Sequence, residues 1–191
     1  MRVTLHETTR LDYAADSLTG LSVGDSLGAQ YFAPGRTVGV IPPPVWEWTD
    51  DTEMACSIVW MLHEAGRMDA DRLAFAFADR CEPYRGYGAG AFVILHNIRK
   101  GTPWAVAAGA IFDGEGSCGN GAAMRVAPLG AYFADSPSKA AAVGLGGRGR
   151  LRAGQRRSGH GAGHGPVHDL GRGEASRRLS IGGAVVHRGR G

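Results

Sequence analysis

An all-α fold is the class that this sequence predicts, and three observations support it. Apolar residues recur near the helical period of roughly 3.6, most clearly at Met54, Ile58, Met61 and Leu62. Residues that start and stop helices flank such segments, whereas the alternation typical of a half-buried strand barely occurs. The chain has 191 residues, 43% of them hydrophobic, and is therefore long enough for one domain with a real core.

The first predicted helix lies in residues 12–29. Gly20, Gly24 and Gly28 recur there at four-residue spacing, which places them on one stripe of the helix. Each glycine costs roughly 1 kcal/mol relative to alanine inside a helix, so three on one face require a reason. We expect the stripe to allow close approach of another backbone.

The second predicted helix begins near residue 49. Thr49 or Asp50 followed by Glu53 fits the capping-box pattern, in which the first and fourth residues cap each other's backbone N–H groups. Gly66 is expected to end the helix at the position where glycine adopts a left-handed conformation. The helix is thus predicted to carry acidic residues on its first turn.

Three more helices are predicted before residue 113. Asp69 is expected to cap the third helix and Pro83 to end it. Gly101 closes the fourth, and Thr102-Pro103 supplies a cap and a first-turn proline for the fifth. A glycine-rich loop then leads into a further helical stretch, and a last helix is predicted in residues 136–143.

A change of composition near residue 140 divides the chain. Residues 1–140 hold 11 Lys and Arg against 16 Asp and Glu, whereas residues 141–191 hold 10 Arg and two acids. The sequence pI near 9.0 is therefore produced by the tail alone. The tail contains 15 of the 31 glycines and no aromatic residue, so we predict that it is disordered. Its abrupt onset in mid-helix is typical of a frameshifted or truncated gene.

We expect a soluble cytoplasmic protein with no membrane partner. The first 18 residues lack the apolar run of a signal peptide, and no stretch is long enough to span a bilayer. The cysteines, Cys56, Cys81 and Cys118, have neither metal-ligand spacing nor an even count, so reduced thiols are predicted. Cys118 is not expected to be a nucleophile, because no His or acid is paired with it locally.

Asp50 and Asp51 stand side by side at a helix start and have two explanations. Carboxylates suit the positive end of the helix dipole, and on this segment alone helix capping is the simpler reading. Two carboxylates about 4 Å apart repel by about 4 kcal/mol at an effective dielectric of about 20, which favours a cation between them. Oxygen ligands from Asp and Thr are those that magnesium, calcium and manganese prefer.

The loop around Asn120 is the second candidate site. Gly119 and Gly121 flank Asn120 just before a helix, an arrangement that exposes backbone N–H groups able to hold a phosphate. An ordinary Gly-Asn-Gly turn is the alternative, and on its own the loop does not exclude it.

Three motifs together are more specific than either site alone: GDSLGAQ at 24–30, WTDDTEM at 48–54 and GNGAAMRVAPLG at 119–130. In this order they resemble the ADP-ribosylglycohydrolase family, which includes the dinitrogenase reductase-activating glycohydrolases, over roughly residues 11–140. The resemblance implies the N-terminal part of an all-α domain around two magnesium ions, with manganese preferred by some members. It also implies a hydrolase that removes ADP-ribose from protein side chains such as arginine or serine.

The resemblance assigns site residues by position. Thr49, Asp50 and Asp51 match the family's first metal-ligand cluster, and Asp25 matches a position whose role is expected to be structural. The residues that match the loop holding the phosphates and ribose of ADP-ribose are Gly119, Asn120, Gly121, Ala122 and Met124. No catalytic residue is assigned, and the partner expected is an ADP-ribosylated protein or another ADP-ribose conjugate.

Two departures from the family pattern bear on activity. Phe32 stands where many members carry a glutamate. The acids after Met124 are Asp135, Asp169 and Glu174, none of them in the Asp-x-Asp-Thr/Ser pattern of the family's second metal cluster. We therefore expect that the second metal site is not completed and that this chain is an impaired enzyme.

Two alternatives stay open. The chain is a non-catalytic remnant that binds ADP-ribose or one metal ion, or it contacts RNA or DNA phosphates through its Arg-Gly repeats. We expect those repeats to be incidental charge. His160, His164 and His168 have ligand-like spacing, but the glycines between them would not hold a helix, so no metal site is predicted there.

Overall fold

The computed structural model describes residues 5–32, 34–35, 37, 39–116, 119–145, 180–181 and 184–185. Seven α-helices lie in the described part of residues 5–145, and the predicted all-α fold is confirmed there. They are α1 (Glu7–Ala29), α2 (Asp50–Ala65), α3 (Ala70–Arg80), α4 (Ala89–Arg99), α5 (Trp104–Gly109), α6 (Ala127–Tyr132) and α7 (Pro137–Leu145).

A separate unit, residues 157–191, contains one described strand pair. Strand β1 (Ser180–Ile181) is antiparallel to β2 (Ala184–Val185), with Ser180 opposite Val185. Apart from these strands, the predictions for the tail from residue 146 onward lie outside the described residues. Helix α7 continues to Leu145, across the boundary that the change of composition placed at residue 140.

Helix α2 is the centre of the packing. It contacts α1, α3 and α6, so its apolar side chains are buried on several sides. Those with at most 5% exposure are Met54, Ala55, Ile58, Val59, Met61 and Leu62. Ala14 and Leu18 of α1, together with Leu129 and Tyr132 of α6, complete this core. Burial on α2 begins at Thr52 and Glu53, directly after the half-buried Asp50 and Asp51.

The predicted helix ends are mostly confirmed. Gly66 has φ of 60°, and its N–H donates to the Leu62 carbonyl. Asp69 accepts a hydrogen bond of 3.1 Å from the backbone N–H of Arg72, as expected for the cap of α3. Thr102 does not cap α5, because the residue before Trp104 is Pro103 and no side chain makes a capping bond there.

The close backbone approach predicted for the glycine stripe of α1 is wrong among the described residues. A Cβ built on Gly20, Gly24 or Gly28 would meet nothing within 4 Å. Helix α1 turns a different face to the core, the one that carries Ala14 and Leu18. The glycines therefore lie on a neighbouring face that α2 and α6 do not cover.

Candidate functional site

The start of α2 carries the predicted acidic cluster. Thr49 is the N-cap, and its side-chain oxygen accepts from the backbone N–H of Asp51 at 3.4 Å. Asp50 and Asp51 occupy the first turn, as the capping reading requires. The three residues assigned as the first metal cluster are thus consecutive on a fixed helix end.

Asp25 of α1 holds this helix end from outside. Its Oδ2 accepts from the backbone N–H groups of Thr49 at 2.7 Å and Thr52 at 3.3 Å, and from the Thr52 hydroxyl at 2.6 Å. Its Oδ1 accepts from the Thr49 hydroxyl at 2.6 Å. Four hydrogen bonds therefore link the C-terminal part of α1 to the first turn of α2, and contacts of this kind fit the structural role expected for Asp25.

The capping box predicted with Glu53 does not form. Glu53 is only 4% exposed, and its Oε2 accepts from the Glu82 backbone N–H at 3.0 Å and from the Tyr87 hydroxyl at 2.8 Å. Among the described residues its Oε1 has no hydrogen-bond partner. Burial raises the pKa of this carboxyl from 4.5 to about 7. The prediction fails because Thr49 is the N-cap, which places Thr52 at the fourth position of the box, whereas Glu53 lies one residue further on and faces the loop after α3.

Negative charge accumulates where α2 begins. Burial raises the pKa of Asp50, and the neighbouring Asp25 raises it further. Burial likewise raises the pKa of Asp51, with added repulsion from Asp25 and Asp50. Carboxyls whose pKa rises in this way are those that a nearby cation would stabilise in the charged form.

A turn at residues 83–86 lies beside Asp50. The Arg85 guanidinium stacks 3.8 Å from the centre of the Trp48 ring, donates to the Trp48 carbonyl at 3.0 Å, and pairs with Glu82 at 3.3 Å. A Cβ on the next residue, Gly86, would lie 3.8 Å from Asp50 Oδ1. The side chain of Arg85 therefore joins the segment before the acidic cluster to the turn that faces it.

The predicted phosphate-binding loop forms a tight turn. The Asn120 carbonyl accepts from the backbone N–H groups of Ala123 at 2.7 Å and Met124 at 3.1 Å. Much of the turn is exposed. A Cβ on Gly121 would meet nothing within 4 Å, and its φ is not in the left-handed region, so neither the backbone nor a described neighbour requires glycine here.

Arg125 connects this turn with the acidic cluster. Its guanidinium donates to the Met54 sulfur at 2.9 Å and lies 4.6 Å from the centre of the Phe77 ring. Burial lowers the pKa of Arg125, whereas Asp50 raises it, and Arg125 in turn lowers the pKa of Asp50. Arg125, which follows the loop, and Asp50, at the start of α2, are thus close enough to shift each other's pKa.

The donor chemistry of the cluster suits a hard cation, but one cluster supplies few ligands. Thr49, Asp50 and Asp51 offer carboxylate and hydroxyl oxygens, the donors that Mg²⁺ and Mn²⁺ take. Within the described residues there is no group of three or more His, Cys, Asp or Glu that could hold a metal ion. Cys118 and the three tail histidines lie outside the described residues.

Comparison with known proteins decides the family. A family model of ADP-ribosylglycohydrolases matches residues 6–154. The chain belongs to the ADP-ribosylglycohydrolase family. The resemblance predicted from the three motifs is therefore confirmed, and the matched span extends beyond residue 140.

Curated proteins similar to this chain include several named ADP-ribosylhydrolase ARH3. The mouse protein (Mus musculus) is 33% identical over 135 residues, which cover 59% of this chain and 36% of the relative. The human protein (Homo sapiens) is 40% identical over 86 residues, which cover 43% of this chain and 24% of the relative. The chicken protein (Gallus gallus) is 32% identical over 145 residues, with 62% and 39% covered.

This ADP-ribosylglycohydrolase chain spans about a third of the length of the mouse and chicken relatives and about a quarter of the human one. Among the described helices none is both long and apolar enough to cross a membrane.

Sequence reasoning missed the side chains that support the site. Arg85 directly precedes the GYG segment and Arg125 lies within the GNGAAMRVAPLG motif, but neither received a role, because burial of an arginine depends on tertiary packing. The signal for Asp25 was present in the GD-x-LG motif, which suggested a structural role without naming Thr49 and Thr52 as its partners.

Proposed function

We propose that this chain is an ADP-ribosylglycohydrolase-type hydrolase with impaired turnover, whose substrate is an ADP-ribosylated protein side chain or another ADP-ribose conjugate. The observation that carries the proposal is the position of Asp50 and Asp51 on the first turn of α2, directly after Thr49, on a helix end that Asp25 holds through its hydrogen bonds to Thr49. Family membership and relatives named ADP-ribosylhydrolases support the same reaction class.

Thr49, Asp50 and Asp51 would hold a divalent cation, magnesium or manganese. When bound there, such a cation would supply Lewis-acid activation of the attacking water. The chain's own residues fix the donors: Asp25 and the helix N–H groups orient the cluster, and Gly86 keeps the space near Asp50 Oδ1 clear of a side chain. With one cluster, we expect weak cation affinity, since such ions need several oxygens to offset lost hydration.

The turn from Gly119 to Met124 would hold the ADP-ribose phosphates. Ala123 and Met124 donate their backbone N–H groups to the Asn120 carbonyl within the turn. The N–H groups of Gly121 and Ala122 come before these two in the chain, and the first N–H groups of such a turn are those that suit an anion. Gly121 leaves room for close approach of a phosphate. The arrangement needs no charged side chain on the turn itself, because the N–H dipoles supply the attraction.

Binding of ADP-ribose without turnover is the second candidate function. Two observations favour it: the described residues contain no group of three or more His, Cys, Asp or Glu that could hold a metal ion, and Phe32, which is 91% exposed, carries no group able to accept a proton. We therefore expect the 191-residue chain to bind ADP-ribose but to hydrolyse little of an ADP-ribose conjugate.

Titration calorimetry with ADP-ribose and Mn²⁺ tests the proposal through Gly121→Val. The added side chain should raise the Kd for ADP-ribose about tenfold or more, because a loss of about 1.4 kcal/mol is tenfold in affinity. Gly130→Val on α6 is the matched control, since a Cβ there also meets nothing within 4 Å. Wild-type affinity in Gly121→Val, or equal losses in both variants, would contradict the assignment of the turn.

A further inference from the structure

Thr49 makes a nearly complete set of hydrogen bonds. A threonine hydroxyl has one proton to donate and two lone pairs to accept with. The proton goes to Asp25 Oδ1 at 2.6 Å, and one lone pair accepts from the Asp51 N–H at 3.4 Å. Among the described residues no further hydrogen bond to this oxygen occurs, so one lone pair is left over.

Asp25 determines where the Thr49 proton points. Asp25 Oδ1 accepts from the Thr49 hydroxyl, whereas Oδ2 takes the two backbone N–H groups and the Thr52 hydroxyl. Because Asp25 accepts from donors at both of its oxygens, the Thr49 hydroxyl is the donor in the bond to Oδ1. The hydroxyl proton is therefore directed toward α1, and the remaining lone pair is left for another partner.

We infer that Asp25 is a positioning residue for the cation site: it holds the Thr49 hydroxyl proton so that a lone pair of Thr49 is free to coordinate a divalent cation together with Asp50 and Asp51. The inference rests on the proposed cation site and deepens it. Groups that orient metal ligands in this way commonly change metal affinity by about 10–100-fold when they are replaced.

The two oxygens of Asp25 accept from different donors, so a substitution that changes only one of them tests the inference. In Asp25→Asn the amide oxygen can take the place of Oδ2 and keep the three bonds that hold the start of α2. The amide NH₂ group then faces the Thr49 hydroxyl and donates to it. The Thr49 oxygen would accept from both this new amide and the Asp51 N–H, and its proton would point toward the cation position.

Electron paramagnetic resonance of Mn²⁺ provides the test, because the signal of unbound Mn²⁺ reports affinity without any turnover. We expect wild type to bind Mn²⁺, Asp50→Asn to lose that binding, and Asp25→Asn to bind about tenfold more weakly or worse. Thr52→Val is the matched control: it removes another hydrogen bond to Asp25 while leaving Thr49 untouched. It should lower the unfolding temperature but leave Mn²⁺ affinity within about twofold.

A double-mutant cycle separates positioning from general damage. Thr49→Val removes the coordinating oxygen, so adding Asp25→Asn to it should weaken Mn²⁺ binding no further. If the Asp25→Asn protein does not fold, Thr49→Ser and Thr49→Val decide instead: the serine variant keeps the hydroxyl and should bind nearly as wild type, and the valine variant should not.

Each other outcome has a definite meaning. Wild type that shows no Asp50-dependent Mn²⁺ binding would overturn both the cation site and this inference. Wild type that binds Mn²⁺ through Asp50, with Asp25→Asn unchanged or Thr49→Val unchanged, would overturn this inference alone. Equal losses in Thr52→Val and Asp25→Asn would show that Asp25 only stabilises the helix.

Discussion

Replacing Glu53 with Gln should change how stability depends on pH. Glu53 is buried under the start of α2, and burial raises the pKa of its carboxyl from 4.5 to about 7. In that range the folded state binds more protons than the unfolded state, so the contribution of Glu53 is fully present below about pH 4.5 and is lost as pH rises through about 7. Wild type should therefore lose stability toward alkaline pH.

The size of the effect follows from the two pKa values. The difference between the two pKa values corresponds to a change of about 3 kcal/mol in the free energy of unfolding, and about 2.5 kcal/mol of this change falls between about pH 5 and about pH 8. Glutamine does not titrate, and its amide oxygen can accept the two bonds from Glu82 and Tyr87. Its NH₂ group takes the place of Oε1 without a described acceptor, a cost of about 1–3 kcal/mol that is the same at every pH.

Urea unfolding followed by tryptophan fluorescence, with a chelator present, measures both proteins at each pH. The free energy of unfolding of Glu53→Gln minus that of wild type should rise by about 2.5 kcal/mol from about pH 5 to about pH 8. Glu64→Gln, an exposed position on the same helix, is the control and should follow wild type. A difference that changes by less than about 0.5 kcal/mol would refute the argument from burial, because the predicted change is about five times larger.

Two further predictions concern the clamp beside the site and the reaction. Arg85→Ala should lower the free energy of unfolding by about 3 kcal/mol, because the variant removes the guanidinium that pairs with Glu82 and stacks on Trp48. Arg67→Ala, at an exposed position, is the control, and an equal loss of stability in that variant would contradict the prediction. The 191-residue chain should release little ADP-ribose from modified arginine or serine even with Mn²⁺, as measured by chromatography; metal-dependent turnover would mean that one acidic cluster suffices or that another subunit supplies the second.

The sequence was informative wherever local chemistry decides the structure. Gly66 ends α2 and Asp69 caps α3 because left-handed φ and side-chain capping are properties of single residues and their neighbours. The start of α2 was placed correctly for the same reason, and the motifs around Asp50 and Asn120 led to the right family.

Tertiary contacts account for what the sequence did not predict. The capping box failed because Thr49 is the N-cap, which places Thr52 at the fourth position, and because Glu53 instead binds the loop after α3. The close backbone approach predicted for the glycine stripe of α1 was wrong, because four-residue spacing cannot show which face of the helix meets the core. The burial of Arg85 depends on Trp48, a residue far away in the chain, and no local signal reveals it.

Linkage between Mn²⁺ and ADP-ribose tests the central claim most directly, because a cluster and a turn that form one site must affect each other's ligands reciprocally. Calorimetric titration of ADP-ribose should show tighter binding with Mn²⁺ than with a chelator. Asp50→Asn should lose this gain, and the triple alanine variant of His160, His164 and His168 should keep it. An unchanged gain in Asp50→Asn together with a lost gain in the histidine variant would contradict the site described here.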